Sequence, residues 1–301
     1  MRNEYSHSAG IRILEEIRQI FEKKEVFQRR DKSIAFICGG SKDDPRTMRA
    51  QFLKWIKTAH PSIIAVLAED AFRSTYFHNP PLTINLSKFE SLIAEISDCV
   101  IIFPESIGSF VEVGLFSNVD KIRAKTLIIN DLDHHSKDSF TNLGPIRSID
   151  ARSFLAATIP VSIKITPVDF EPVRERLLRV VQRRRRIRFN FVEFRSLDRL
   201  SRFVLVFEFV RILRLVSLEG LWQAVKIGFG GVSKTELKLL LSILMSAGWV
   251  EPFDDHFQVT KSSQPLLDYD RTSIDDVSAR IVFYHTKHNT RVAQLLQRAG
   301  R

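Results

Sequence analysis

The stretch DCVIIFPESIGSFVEVG, residues 98–114, connects an apolar run to a helix-like segment through a proline and a glycine. The run CVIIF (99–103) is typical of a strand that is buried on both faces. Gly108 permits a sharp turn after this strand, so we expect Glu112 in the first turn of a helix. The positive end of that helix dipole would favour the ionised form of the carboxylate.

Strand-like and helix-like segments alternate on both sides of this stretch. The other strand-like runs are SIAFIC (33–38), SIIAVLAED (62–70), KTLIIN (125–130) and VSIKIT (161–166). Helices are expected between them, at NLSKFESLIAEIS (85–97) and at 43–60, where Asp44 would be the N-cap and Pro45 the first helical residue. Strands separated by helices predict an α/β fold, an open parallel sheet with helices on both faces.

Glycines and carboxylates follow the predicted strands at their carboxyl ends. Ligands of open α/β sheets bind beyond these ends, so the candidate substrate-binding residues are Gly39, Gly40, Asp70, Glu105 and Asp131. Asp70 would end the second strand, where holding a substrate hydroxyl and capping the next segment are both open. Glu105 lies on the turn itself, where contact with a ribose hydroxyl and simple solvation are both open.

Glu112 is the candidate catalytic residue. An ionised carboxylate that faces a ribose can attack C1′, or stabilise the positive charge that develops there as an N-glycosidic bond breaks. A leaving group that is already cationic, such as the nicotinamide of NAD, needs no strong general acid. The alternative is structural, because glutamate is common in the first turns of helices.

The composition limits the classes of protein to consider. The chain has 301 residues, of which 44% are hydrophobic, and this is enough for a buried core. It contains no run of about 18 apolar residues and does not start like a signal peptide, so we expect a cytoplasmic protein that does not cross a membrane. Cys38 and Cys99 lie in apolar runs and are predicted to be packing residues. His134 and His135 are predicted in an exposed polar loop, and no metal site is expected.

The net charge of +10 is concentrated in one stretch. Eleven arginines and three acidic residues lie between Arg174 and Arg202. Guanidinium groups bind phosphate oxygens and stack on bases, so the densest part predicts contact with nucleic acid through Arg183, Arg184, Arg185, Arg186 and Arg188. A solvated helix face or a linker is the alternative.

The C-terminal part has a different pattern. The segment 203–227 is apolar with helical spacing, and Ser233 and Glu236 form a capping-box pattern before a helix that would run to Gly248. WVEPF and HFQVT then predict a hairpin. Helices followed by a hairpin are typical of a winged helix, with a small α+β domain for protein contacts as the alternative. The predicted domains are 1–170, a basic helical linker 171–202, and 203–301.

The segment GSFVEVG (108–114) resembles the G-[ST]-x-x-E-x-G element of nucleoside 2-deoxyribosyltransferases. This resemblance implies a deoxyribosyltransferase-like fold in which Glu112 is the nucleophile. An ordered set of segments is also similar to the toxin effectors of type II retron antiphage systems; these are FICGG (36–40), AED-AF (68–72), 89–118, IIND (128–131) and SFTNLGPIR (139–147).

The retron resemblance implies an N-glycosidase that degrades NAD and needs no cofactor. It also implies partners, the retron reverse transcriptase and its multicopy single-stranded DNA (msDNA), which hold the effector inactive in filamentous assemblies. Ser109 and Asn118 are then expected to help shape the substrate pocket. Two other hypotheses stay open: a nucleoside 2-deoxyribosyltransferase, and a nucleotide-sensing DNA-binding regulator without turnover.

Overall fold

A computed structural model describes residues 4–5, 7–23, 26–28, 31–78, 85–135, 137–183, 187–189 and 192–299. The chain forms two compact units. The sheet unit comprises Asp31–Asp70 and Thr83–Arg184, and the helical unit comprises Met1–Arg30, Ala71–Leu82 and Arg185–Arg301. This grouping places the N-terminal helix in the same unit as the C-terminal helices. The predicted boundaries at residues 170 and 202 had instead placed residues 1–170 together in one domain.

The strands of the described residues are mostly short. They are β1 (Phe27–Gln28), β2 (Ser33–Cys38), β3 (Ile63–Val66), β4 (Cys99–Ile102), β5 (Thr126–Asp131), β6 (Ile159–Val161), β7 (Ile187–Arg188), β8 (Val216–Ser217), β9 (Val250–Phe253), β10 (His256–Val259) and β11 (Leu267–Asp268).

The helices account for most of the remaining structure. They are α1 (Ser8–Lys23), α2 (Met48–Ala59), α3 (Ala68–His78), α4 (Leu86–Ile96), α5 (Ile107–Ser117), α6 (Asp120–Arg123), α7 (Leu132–His135), α8 (Arg147–Asp150), α9 (Glu171–Gln182), α10 (Arg199–Leu213), α11 (Leu218–Phe229), α12 (Lys234–Ser246), α13 (Arg271–His288) and α14 (Thr290–Ala299). A π-helix, Asn142–Ile146, leads directly into α8.

The sheet unit contains the predicted open parallel sheet. Its strand order is β3-β2-β4-β5-β6, and every neighbouring pair is parallel. The order changes direction between β2 and β4, and the loops that follow these two strands therefore open onto the crevice where ligands of such sheets bind. The fifth strand lies at Ile159–Val161, earlier than the predicted 161–166.

Helices cover both faces of this sheet. Cys99 faces a core that includes Phe52 of α2 and Leu177 of α9. The opposite face carries Phe36, whose ring centroid is 6.1 Å from that of Phe116 in α5. Burial of each large apolar side chain contributes about 1.5–3 kcal/mol, which explains why nearly continuous apolar runs form these central strands. The predicted fold class is confirmed.

The start of α2 differs from the prediction. Thr47, not Asp44, is the N-cap, and its hydroxyl accepts the N–H of Ala50 at 3.1 Å. Asp44 instead accepts the backbone N–H and the guanidinium of Arg46. The sequence pattern placed the helix start at Pro45 because proline favours the first helical position, but here it belongs to the preceding turn.

The helical unit contains the predicted hairpin, β9 and β10, and β8 extends it to an antiparallel sheet in the order β8-β10-β9. The apolar segment 203–227 is two helices rather than one, because Arg214 has a positive φ of 64° and ends α10. Ser233 caps α12 as predicted, by accepting the N–H of Glu236 at 3.1 Å. The carboxylate of Glu236 binds Arg202 at 2.7 Å.

Glu208 in α10 is fully buried and holds the chain segment around β11. Its carboxylate accepts hydrogen bonds from the N–H of Leu267 at 3.1 Å, the hydroxyl of Tyr269 at 2.7 Å and the Nε of Arg211 at 2.8 Å. It also accepts the N–H of Leu266. Burial raises the pKa of Glu208, although Arg211 and the backbone donors oppose this rise. A buried carboxylate that accepts this many hydrogen bonds typically has a structural role.

Candidate active site

Glu112 lies on α5, beside the carboxyl end of the central strands. Ser106 is the N-cap of α5, so Glu112 is the sixth residue of the helix and lies in its second turn. The expectation that the helix dipole would favour its ionised form is therefore wrong, because this effect falls off within the first turn. A different environment controls this carboxylate.

Burial and negatively charged neighbours raise the pKa of Glu112. Its side chain is partly buried, and burial together with Glu90 of α4 raises the pKa to about 7. The thiol of Cys38, the last residue of β2, donates a hydrogen bond to Glu112 and opposes this rise. Because the group is partly exposed and close to its titration point at neutral pH, it has the properties of a reactive carboxylate.

Three carboxylates and one guanidinium meet at this edge. Glu90 has a raised pKa because of burial and the charge of Glu69 at the start of α3. Arg49 in α2 has a side chain only 7% exposed, forms an ion pair with Glu69 and donates to the carbonyl oxygen of Gly40 at 3.0 Å. Arg49 also lowers the pKa of Glu112. Glu69 therefore has Arg49 as a cationic partner. Among the described residues, Glu90 and Glu112 have no equally strong partner.

Glu105 connects the loop after β4 to the loop after β2. Its Oε1 accepts the N–H of Gly40 at 3.0 Å and of Arg49 at 3.1 Å, and its Oε2 accepts the N–H of Met48 at 2.7 Å. A Cβ on residue 40 would lie 3.1 Å from Oε1 of Glu105, so glycine permits this close approach. Helix N-termini commonly bind phosphate groups, but here a side chain of the same protein occupies the amide groups.

The other predicted substrate-binding residues lie in different places. Asp70 is in the first turn of α3 instead of at the end of a strand, because β3 ends at Val66, and it forms an ion pair with Lys42 at 2.5 Å. Asp131 ends β5 and accepts the N–H of Asp133 at 3.3 Å. Their roles in substrate binding stay predictions.

Ser109 and Asn118 belong to the two ends of α5. Ser109 is 1% exposed, and its hydroxyl accepts the N–H groups of Glu105 and Ser106, so it stabilises the turn before Glu112. Asn118 follows the last turn, where its side chain donates to the carbonyl of Gly114 at 2.8 Å. The helix spans about 16 Å and runs back from the carboxyl edge of the sheet, so it carries Asn118 away from the other candidates.

Sequence reasoning did not identify Cys38, Arg49 or Glu90 as members of the site, and it placed Glu69 at the carboxyl end of a strand without giving it a role. Cys38 was interpreted as a packing residue, and its thiol is indeed buried. Glu90 follows Phe89, which belongs to the buried face of α4. A charged residue at the margin of an apolar helix face was the available signal for Glu90. The contacts of Arg49 and Glu69 depend on the way that α2 and α3 meet in space.

The arginine-rich stretch is described only in part. The guanidinium carbon of Arg183 lies 4.1 Å from the centroid of the Phe154 ring, and Arg188 is exposed in β7. Arg184, Arg185 and Arg186 lie outside the described residues. On α9, Arg174 pairs with Glu171 and Arg179 pairs with Glu175. Nucleic-acid binding by this stretch stays a prediction.

His134 and His135 are exposed in the short helix α7, and the Nδ1 of His134 is 2.9 Å from the Nζ of Lys137. The parts of the chain that the structure describes hold no group of three or more side chains that could bind a metal ion. A cavity of about 470 Å³ in the helical unit is lined by residues of α1 and α13 and by Asp270, and none of the candidate site residues lines it.

A family model described as STM3845 retron effector protein matches residues 45–252, more than half of the chain. The chain belongs to this family of retron effectors. The matched range includes Asp70 and the whole of α5 with Glu112. The similarity to retron effectors that the sequence segments predicted is thereby confirmed. No helix among the described residues of this retron effector is both long enough and apolar enough to span a bilayer.

Two curated relatives from Escherichia coli are similar to this retron effector over part of its length. The "Retron Ec86 putative ribosyltransferase/DNA-binding protein" is 35% identical over 112 residues, which cover 37% of this chain and 36% of the relative. The "Retron Ec73 putative ribosyltransferase/DNA-binding protein" is 30% identical over 124 residues, which cover 40% of this chain and 39% of the relative. The match thus spans well under half of each relative.

Proposed function

We propose that this retron effector is an N-glycosidase that hydrolyses the bond between ribose and nicotinamide in NAD, or the equivalent bond of a related nucleotide. The observation that carries the proposal is Glu112, a partly buried carboxylate with a pKa of about 7 at the ligand-binding edge of the sheet. The names of the Ec86 and Ec73 relatives, which include ribosyltransferase, support chemistry at a ribose.

Glu112 acts on C1′ of the ribose in its ionised form. Its oxygen forms a bond to C1′ while the bond from C1′ to the nitrogen of nicotinamide breaks, and nicotinamide leaves as a neutral molecule with the electron pair. Water then attacks C1′, which releases ADP-ribose and a proton and regenerates the carboxylate. A positively charged nicotinamide ring lowers the pKa of the nearby carboxylate, so the bound substrate itself favours the reactive form.

The surrounding side chains set the state of Glu112. Cys38 donates its thiol hydrogen to the carboxylate and orients it. Glu90 disfavours the ionised form in the absence of substrate, and this unfavourable interaction is relieved when a positive charge enters the site. Arg49 neutralises Glu69 and binds the carbonyl of Gly40, so the loop after β2 is held beside the reacting groups.

The test uses full-length effector separated from reverse transcriptase and msDNA. We expect release of nicotinamide from NAD, and a decrease of about a thousandfold or more in Glu112→Gln. Glu175→Gln is the matched control, because Glu175 is an exposed glutamate of the same unit. Undiminished release by folded Glu112→Gln, or no release by the unmodified effector from NAD and related nucleotides, would falsify the proposal.

A nucleoside 2-deoxyribosyltransferase is the second candidate, and the word ribosyltransferase in the relatives' names supports transfer of a sugar in general. It would use the same carboxylate but would require an acceptor base in place of water. Product formation that depends on an added free nucleobase distinguishes this activity from hydrolysis.

The proposed partners are the retron reverse transcriptase and msDNA, which would keep this toxin inactive in the cytoplasm within a larger assembly. The order helix, strand, two helices and hairpin in α10 to β10 supports a winged-helix-like interaction domain. A nucleotide-sensing regulator would instead bind a specific DNA duplex without turnover. The relatives' names include the words DNA-binding, and this supports a test for binding to a specific DNA duplex.

A further inference from the structure

The loop after β2 carries a lysine at the edge of the sheet where Glu112 lies. This loop runs from Gly39 to Thr47, and the Nζ of Lys42 lies 2.5 Å from the Oδ1 of Asp70. The side chain of Lys42 is 24% exposed and that of Asp70 is 36% exposed. Solvent, and therefore a ligand that enters from solvent, reaches this ion pair.

The surroundings of Glu112 are rich in negative charge. Besides burial, the charges of Glu90 and Glu69 raise the pKa of Glu112. Asp70 adds a further carboxylate next to Glu69 at the start of α3. These groups repel a phosphate group of a nucleotide, so a nucleotide that binds here needs a cation to balance its charge.

The groups that commonly bind phosphate at such an edge already have partners. The N–H groups of Gly40 and Met48, which precede and open α2, donate to the carboxylate of Glu105 at 3.0 and 2.7 Å. Arg49 is buried, and its guanidinium binds Glu69 and the carbonyl oxygen of Gly40. Neither the helix N-terminus nor Arg49 is therefore available to a phosphate group, and this task falls to side chains of the loop after β2.

This loop contains two cationic side chains, Lys42 and Arg46. The Nε and Nη2 of Arg46 donate to the two carboxylate oxygens of Asp44 at 2.9 and 2.8 Å. Among the described residues, the ammonium group of Lys42 has one carboxylate partner, Asp70. An ammonium group carries three N–H donors, so Lys42 can keep this contact and still donate to a phosphate oxygen.

Lys42 is also tied to the position of Glu112. It follows Cys38, the residue whose thiol donates to Glu112, by four positions, and four residues of chain span at most about 14 Å. The hydroxyl of Thr47 donates to the carbonyl oxygen of Ser41 at 2.9 Å, which holds the backbone next to Lys42. In a nucleotide, the phosphate is attached through C5′ to the same ring whose C1′ reacts, so it enters close to both side chains.

We propose that Lys42 binds a phosphate group of the substrate and makes the site select nucleotides over nucleosides. The inference rests on the proposed N-glycosidase function and names the group that determines its substrate class. Asp70 orients the ammonium group through one N–H, and the other N–H groups donate to phosphate oxygens. The negative charge of Asp70 weakens this attraction, and this limits how tightly the phosphate is held.

The ratio of kcat/KM for NAD to kcat/KM for nicotinamide riboside tests this role. The two substrates share the bond that breaks and the ribose, so effects on ribose contacts cancel in the ratio. We expect the ratio to fall about tenfold or more in Lys42→Ala. Lys57→Ala is the matched control, because Lys57 is an exposed lysine in the last turn of α2.

Asp70→Asn should change the ratio in the opposite direction. Its amide oxygen still accepts from Lys42, but the negative charge that repels phosphate is removed. Opposite shifts in Lys42→Ala and Asp70→Asn exclude misfolding as their cause. A ratio in Lys42→Ala equal to that in Lys57→Ala overturns the proposal, and so does a fall that occurs in Arg46→Ala instead.

Calorimetric titration with ADP-ribose separates this inference from the proposed reaction. We expect the Kd to rise about tenfold or more in Lys42→Ala, because ADP-ribose carries the phosphates without the nicotinamide. If this rise occurs but the unmodified effector releases no nicotinamide, the reaction is wrong and the phosphate contact stands. If nicotinamide is released but neither the ratio nor the Kd changes in Lys42→Ala, the reaction stands and the phosphate contact is wrong. No release together with an unchanged Kd, or with no binding of ADP-ribose, overturns both.

Discussion

Glu112 in the sheet unit is partly buried and Glu208 in the helical unit is fully buried, and both glutamates have raised pKa values, yet they have opposite surroundings. Glu208 accepts hydrogen bonds from Arg211, from two backbone N–H groups and from Tyr269. Among the described residues, the donor that reaches Glu112 is the Cys38 thiol, which is a weak one. Burial alone therefore does not identify a functional carboxylate. A shortage of strong donors distinguishes Glu112 from Glu208, and it supports the proposed role of Glu112.

Removal of the Glu208 carboxylate should have the largest effect on stability. Glu208→Gln cannot accept from all four donors, and it leaves the partly buried Arg211 without its anionic partner. Breaking such a buried pair costs about 3–5 kcal/mol of the free energy of unfolding. Urea denaturation measures this loss, and Glu219→Gln, a partly exposed glutamate of the same unit, is the control. An unchanged midpoint would show that these hydrogen bonds contribute little.

Glu105 should give a smaller loss, because it lies at the edge of the sheet and is only partly buried. In Glu105→Gln the amide NH₂ faces backbone N–H groups of Gly40, Met48 or Arg49 and cannot accept from them. We expect the free energy of unfolding to fall by about 1–3 kcal/mol. The exposed Glu171→Gln serves as the control and should behave as the unmodified protein. If Glu105→Gln unfolds at the same denaturant concentration as that control, Glu105 does not stabilise α2.

The pH dependence of stability should distinguish Glu112 from Glu208. The pKa of Glu112 in the folded protein, about 7, is above its ordinary value of 4.5, so protonation favours the folded state. This stability is fully present below the ordinary pKa and is lost as the pH rises through about 7. Glu112→Gln should reduce the loss between about pH 5 and about pH 8 by on the order of 1–3 kcal/mol.

Glu90 contributes a loss of the same sign, because its pKa is also raised. The Glu112→Gln protein should therefore keep part of the pH dependence, and Glu90→Gln should remove a further part. Denaturation curves of the three proteins at both pH values give the comparison. Equal pH dependence in the unmodified protein and in Glu112→Gln would mean that Glu112 titrates at its ordinary pKa.

The sequence predicted the strand and the helix that position Glu112 better than it predicted the side chains around Glu112. The run CVIIF correctly located a buried strand that is followed by the helix that carries Glu112, but the turn predicted at Gly108 is wrong, because Gly108 is the second residue of α5. The helix start was less accurate, because it depends on the hydrogen bonds between Ser106 and Ser109. A shift of a few residues moved Glu112 out of the first turn, so the helix dipole no longer favours its ionised form, and burial together with Glu90 raises its pKa instead.

The partners of Glu112 could not be read from the sequence for a different reason. Arg49, Glu69 and Glu90 come from three separate helices that meet only because the parallel sheet brings their ends together. In the sequence, Arg49 and Glu90 have the appearance of ordinary surface residues of helices, and Glu69 lies at the end of the strand-like run 62–70. Periodicity predicts which face of a helix is buried, but it does not predict which charged residues of different helices approach each other.

The smallest expected effect concerns the Cys38 thiol, and it can be isolated because the sheet contains a second buried cysteine. Cys38→Ala removes the hydrogen bond to Glu112, which should raise the pKa of Glu112 further. Where the ionised carboxylate is the reactive form, the pH at which NAD hydrolysis is half-maximal should move upward, by up to about one pH unit. The rate well above this pH should change little.

Cys99→Ala is the matched control for this shift. Cys99 is equally buried, but it faces the core formed with α2 and α9, on the side of the sheet away from α5. Its loss should lower the free energy of unfolding by about 1 kcal/mol through the cavity that it leaves, with no change in the pH profile. If Cys38→Ala and Cys99→Ala have the same pH profile, the thiol of Cys38 only packs, and burial and charged neighbours alone set the pKa of Glu112.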